Sequence, residues 1–205
     1  MLFAVIFPLI VGIGKYRNLN KGLKFLFFFV CLGTLTELTI HVFIALGYTT
    51  NQGISYYLPA EFFLFSLMYA DFLKGVIKAK YIYILIGLFT VYSVIYIIFF
   101  HQSHLISNFS MAIRNIIYLI YAILYFYKVL TDLKLTNLWN EPMFWINIAV
   151  LFIFSTNLFV FVFFNRIINM PENISLIITY IQSINWDIGY IIMGIGLLKV
   201  KKITS

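Results

Sequence analysis

The sequence predicts an all-α membrane protein, a bundle of seven closely spaced transmembrane helices forming one domain over residues 1–205. Three observations carry that prediction. Hydrophobic residues make up 63% of the chain and charged residues 10%. Soluble domains are about one-quarter charged, and a water-soluble fold of this size has no interior large enough for so much apolar surface. The apolar residues fall into seven runs separated by short polar gaps, and the basic residues concentrate in alternate gaps.

The runs are Met1–Gly14, Leu23–Leu46, Tyr56–Leu73, Tyr81–Phe100, Phe109–Leu130, Met143–Phe164 and Ile174–Leu198. A spanning helix needs about 20 apolar residues, each rising about 1.5 Å, to cross a hydrocarbon core of about 30 Å. The first run reaches only about 21 Å as a helix. It is expected to draw on Tyr16, to thin the bilayer locally, or to stop short of spanning. A cleaved signal peptide is the competing reading, but the segment has neither a basic n-region nor a small-x-small cleavage site.

The net charge of +7 would suggest nucleic acid in a soluble protein. Here the basic residues lie between apolar runs, so they speak to topology, and no nucleic-acid partner is expected. With the N-terminus outside, Lys15, Arg17, Lys21, Lys24, Lys74, Lys78, Lys80, Lys128, Lys134, Lys199, Lys201 and Lys202 all fall on the cytoplasmic side. Only Arg114 and Arg166 remain outside. That asymmetry follows the positive-inside rule, and removing one span would scramble it. Trp139 and Trp145 flank the start of the sixth helix, where interfacial tryptophans belong. The expected setting is the inner (plasma) membrane, multi-pass, with the bilayer itself as the first partner.

Polar residues inside spans are costly, and an ionisable one marks a functional site by default. On the second helix Thr34, Glu37 and His41 recur at helical spacing. Tyr57 and Glu61 lie one turn apart on the third. Arg114 heads a stripe with Tyr118, Tyr121 and Tyr125 on the fifth. The sixth offers Asn157. The seventh offers Gln182 and Asn185, with a stripe of Thr179, Ser183, Asp187, Tyr190 and Gly194. Side chains this expensive in lipid should face the bundle interior. Glu37, His41, Tyr57, Glu61, Arg114, Asn157, Gln182 and Asp187 are therefore expected to line one polar cavity, nearer the outside, which binds a small ligand, a cation or a proton. Three carboxylates against one guanidinium predict either a neutral carboxyl, at Glu37 or Asp187, or a bound cation.

Plainer readings stand beside these. Glu61 and Arg114 also read as an ion pair joining two helices, and Glu37 and His41 as a pair that satisfy each other. Asn157, Gln182 and Asn185 have the character of interhelical hydrogen-bond glue, and the tyrosine stripe that of packing. Gly189, Gly194 and Gly196 read as close helix contacts, and Asp71 with Lys74 as an interfacial pair. His101 and His104 form an HxxH without a third ligand, too little for a metal site. Asn108-Phe109-Ser110 and Asn173-Ile174-Ser175 match the glycosylation pattern.

Enzymatic motifs are missing: there is no HExxH, GxSxG or phosphate-binding glycine loop, so neither catalysis nor a cofactor is expected. The single Cys31 precludes an intramolecular disulfide. A retinal Schiff base needs a lysine in the last helix, and Ile174–Leu198 contains none.

Phe144-Trp145-Ile146-Asn147, leading into Ser155-Thr156-Asn157-Leu158-Phe159, resembles the sixth helix of small uncharacterised seven-helix membrane proteins of Bacteroidota. Glu61-Phe62-Phe63-Leu64 is similar to their third helix. That resemblance implies a sensory role beside a membrane-bound signalling partner such as a histidine kinase. Thr36-Glu37-Leu38 and Val42-Phe43 echo Thr156-Asn157-Leu158 and Val162-Phe163, as in 3+1+3 sugar transporters, although Pro59-Ala60-Glu61 stands in place of their Pro-Gln motif. Two functions are thus expected to compete: a signalling module acting through a partner protein, and a small, proton-coupled cation or solute transporter.

Overall fold

The computed structural model describes residues 2–46, 51–99, 104–132, 137–167 and 169–201, and every regular element among them is helical. Seven long helices follow in order: α1 (Leu2–Lys15), α2 (Lys21–Ala45), α3 (Asn51–Phe72), α4 (Ala79–Phe99), α5 (His104–Asp132), α6 (Pro142–Val162) and α7 (Glu172–Leu198). Short 3-10 turns at Tyr16–Asn18 and Leu138–Asn140, and one helical turn at Phe164–Ile167, complete the described elements.

Helices α3 and α5 begin several residues before their apolar runs, at Asn51 and His104. The apolar run marks what belongs in hydrocarbon, whereas backbone hydrogen bonding continues into the polar interface. Five helices are long and apolar enough to cross a membrane: α4, α6 and most of α2, α5 and α7. α1, with 14 residues, is too short, and α3 carries Pro59, Glu61, Asp71 and a polar first turn. The chain is a multi-pass helical membrane protein.

Each helix packs on the next in sequence, and α1 closes the ring by packing against both α2 and α7. α3 also touches α5 across the ring, which puts it inside the bundle. Its inward face explains the placement. Phe62, Phe65, Met68 and Tyr69 are fully buried, and Phe65 meets Phe29 of α2, Tyr118 of α5 and Phe154 of α6 at ring-centroid distances of 5.0, 4.4 and 5.8 Å. Phe62 stacks on Phe89 of α4 at 4.0 Å. Such aromatic pairs contribute about 0.5–1.5 kcal/mol each beyond the area they bury. In lipid, where no hydrophobic drive pulls helices together, contacts of this kind hold a bundle. Outward faces remain apolar and exposed, as at Leu35, Leu88, Ile98, Leu130 and Ile177, and match the bilayer.

Small residues allow close approach at the α7 seams. A Cβ added at Gly189 would sit 2.2 Å from Ile153 Cδ1, and one at Gly194 2.3 Å from Phe7 Cδ1. At Gly196 the obstacle is backbone, the Pro142 carbonyl oxygen at 2.9 Å.

One end of the bundle gathers the basic segments. Asn20 Oδ1 accepts the Leu23 N–H at 2.9 Å and Asp71 Oδ2 accepts that of Gly22 at 3.0 Å, so two unpaired donors at the start of α2 are satisfied. Asp71 also receives the Lys74 ammonium, and this hydrogen bond and charge push the Lys74 pKa above its usual value. The expected interfacial pair is thus also a cap for a neighbouring helix. Lys15 donates to the carbonyls of Leu198 and Val200 at the end of α7, and Lys128 to those of Phe72 and Lys74 at 2.9 and 2.6 Å. Lysines reach free carbonyls at helix C-termini here, where the helix dipole favours them. Gly75, with φ at +96°, supplies the left-handed turn after α3 that an L side chain resists. Trp145 Nε1 bonds the Trp139 carbonyl at 2.9 Å near the same end.

Candidate functional site

Along α3 the chain descends through distinct layers toward the basic end: Tyr57, then Glu61, then Phe65, then Tyr69, then Asp71. α5 runs the same way, from Arg114 through Tyr118, Tyr121 and Tyr125 to Lys128. This shared direction sets Glu61 beside Arg114. Arg114 Nη1 donates to Glu61 Oε2 at 2.5 Å, and both side chains are buried. The rest of the guanidinium bonds Asn115 Oδ1, from Nε at 3.3 Å and Nη2 at 3.1 Å. Its plane centre lies 5.9 Å from the Tyr118 ring and 5.8 Å from that of Phe154, within cation–π range.

Above this pair, on the side away from the basic end, lies a cavity of about 230 Å³. Five helices line it: α2 with Gly33, Thr36, Glu37 and Ile40; α3 with Tyr57 and Leu58; α5 with Met111 and Arg114; α6 with Phe161; α7 with Trp186 and Tyr190. Gly33 has a specific role. A Cβ there would be 3.2 Å from the Tyr190 hydroxyl and 3.8 Å from that of Tyr57, so the bare backbone admits both hydroxyls to one point. Glu37, Glu61, Asp187 and Arg114 all lie within electrostatic reach of Tyr190.

The expected site residues separate into three groups. Glu37, Tyr57 and Arg114 line the cavity, Glu61 stands behind Arg114, and Asp187 is near through Tyr190. Asn157 and Gln182 instead bond each other, with Gln182 Nε2 donating to Asn157 Oδ1 at 2.9 Å. Next to them Asn185 Nδ2 reaches the Ile153 carbonyl at 3.4 Å, and Thr156 Oγ1 donates to Asn185 Oδ1 at 3.5 Å. These amides form a ladder between α6 and α7. His41 is not at the cavity. Its side chain is 58% exposed, and its Nδ1 lies 2.8 Å from the Glu37 carbonyl oxygen. Helical phase gives the reason: Gly33, Thr36, Glu37 and Ile40 share the inward face, and at about 100° per residue His41 points about a quarter-turn away from its centre.

Sequence patterns alone did not single out Trp186, Met111, Phe161 or Gly33 as lining. Trp186 precedes Asp187 and lies one turn before Tyr190, and Gly33 lies one turn before Glu37, which are the signals available. The Tyr69 hydroxyl donates to Asn147 Oδ1 at 2.7 Å deeper in the bundle, a pair joining α3 to α6 that the sequence gives no way to match. Below the ion pair the rings of Phe65, Tyr118 and Phe154 pack together and Tyr69 lies tilted against Tyr121 at 5.0 Å, so packed rings stand between the cavity and the basic end. Among the described residues no group of three or more His, Cys, Asp or Glu is placed to hold a metal. His101 lies outside the described residues, and Ser110 of the first glycosylation pattern is buried in α5, 2.9 Å from the Tyr92 hydroxyl.

No family model, curated protein or solved structure matches this chain.

Proposed function

We propose that this protein is a sensory module of the plasma membrane whose cavity binds a small ligand, a cation or a proton from outside and which acts through a partner protein. The supporting observation is the cavity's asymmetry. It is built around Glu37, Tyr57 and Arg114, and a packed aromatic layer lies between it and the basic end. The positive-inside rule assigns that basic end to the cytoplasm, with the N-terminus outside. A site set away from the basic end, with packed rings between the two, suits recognition better than passage. The likeness of α3 and α6 to the Bacteroidota proteins adds a membrane-bound signalling partner, such as a histidine kinase, to the same reading.

A transporter is the second reading. Glu37, Glu61 and Asp187 each lie near the middle of their helices, and intramembrane carboxylates are the usual means of proton coupling. Purified protein in proteoliposomes separates the two when flux is assayed beside a thermal-shift screen of small amines, metal cations and carboxylates. The sensory reading expects compounds that raise the unfolding midpoint and are not transported. Uptake that is abolished by Glu61→Gln and Asp187→Asn would overturn it.

A further inference from the structure

Among the described residues, Glu37 and Arg114 are the charged side chains that line the cavity. Arg114 is already matched by Glu61 and held by Asn115. Glu37 has no such match. Among the described residues its closest cationic group is His41 Nδ1 at 3.9 Å, and that nitrogen lies nearer the Glu37 backbone oxygen. The other walls carry electron-rich rings, those of Tyr57, Trp186 and Tyr190, with apolar Phe161 and Met111.

Among the described residues Glu37 is paired only with His41, and a carboxyl group facing indole and phenol rings is the chemistry that takes an organic cation. A metal ion needs several oxygen or nitrogen ligands, and no such group gathers among the described residues. An anion would meet Glu37 with the Arg114 guanidinium already engaged by Glu61. A cavity of about 150 Å³ holds benzene, so one of about 230 Å³ admits an amine of about eight to ten heavy atoms.

We propose that the cavity among α2, α3, α5, α6 and α7 is a site for a small organic ammonium, its cationic head against Glu37 and its apolar body against Tyr57, Trp186 and Tyr190. This inference rests on the ligand-binding reading above and names the class of ligand.

The test titrates purified full-length protein in detergent with three probes of one shape: phenethylammonium, 2-phenylethanol and phenylacetate. The expected order is ammonium tightest by about tenfold or more, then the alcohol, then the carboxylate, in line with a desolvated cation–π and charge contact. Glu37→Gln, nearly isosteric, removes the ammonium's advantage and leaves alcohol binding in place. Gly33→Leu, which fills the space beside the Tyr190 and Tyr57 hydroxyls, abolishes binding of all three. Equal affinity for ammonium and alcohol, or an ammonium preference that survives Glu37→Gln, overturns the ammonium assignment while leaving a binding cavity. Binding of none of the probes, or binding indifferent to Gly33→Leu, overturns the cavity as a ligand site as well.

Discussion

Arg114 of α5 and Glu61 of α3 form a buried ion pair at the wall of the cavity, 2.5 Å between Nη1 and Oε2. Removing one partner leaves an uncompensated charge in a medium that cannot solvate it, at a cost of about 3–5 kcal/mol. Replacing both with apolar residues of similar volume is close to neutral by the same argument. Arg114→Met and Glu61→Leu are each expected to lower the unfolding midpoint sharply, and the double variant to recover most of the loss. A detergent unfolding titration reads all four proteins. Additive losses in the double variant would show that the pair is not a coupled unit.

The amide pair between α6 and α7 should behave differently. Gln182→Leu removes the 2.9 Å hydrogen bond to Asn157, and such interhelical bonds contribute about 0.6–1.7 kcal/mol in membranes. The expected outcome is a loss of about 1 kcal/mol in the same titration, with unchanged affinity for any compound found to bind the cavity. A large change in affinity would move Gln182 and Asn157 back into the site.

Glycines give a paired test of the close helix contacts. At Gly196 an added methyl meets the Pro142 carbonyl oxygen at 2.9 Å, and backbone yields little, so Gly196→Ala is expected to cost about 1–3 kcal/mol. At Gly87, within α4, nothing lies within 4 Å, and Gly87→Ala should be neutral or stabilise by up to about 1 kcal/mol through helix propensity. Thermal unfolding of the two variants beside the parent measures the difference.

Much of this architecture was legible in the sequence because the bilayer imposes simple constraints. Each of the seven helices coincides with an apolar run, although only five of them are long and apolar enough to cross a membrane. Helix starts were misplaced where polar residues such as Asn51–Ser55 and His104–Asn108 extend a helix beyond the hydrocarbon boundary. The approach of Glu61 to Arg114 was readable because two costly charges on neighbouring spans have few other solutions. His41 shares the Glu37 side of α2, 3.9 Å from its carboxylate, but is not among the residues that line the cavity. The partition of Asn157 and Gln182 away from the cavity was hidden, since an amide that glues helices and one that holds a ligand have the same sequence signature. Which helices pack across the ring, and hence the pairing of Tyr69 with Asn147, depends on distances that no spacing encodes.

The proposed orientation rests on the charge asymmetry. In a Cys31→Ser background, a membrane-impermeant thiol reagent applied outside intact cells is expected to label Asn169→Cys, in the turn before α7, and not Lys78→Cys in the loop after α3. Inverted vesicles should give the opposite pattern. Labelling of Lys78→Cys from outside would reverse the topology and place the cavity on the cytoplasmic side.

A sensory role of this kind needs a cavity that is reached from outside and closed to the cytoplasm by packed aromatic side chains. The most direct measurement uses the same reagent on Ile40→Cys, which lines the cavity, and on Ala122→Cys, which is buried among the helix-five tyrosines. Ile40→Cys is expected to be labelled from outside and Ala122→Cys from neither face. Labelling of Ala122→Cys from the cytoplasmic face, or of Ile40→Cys from that face alone, would contradict it.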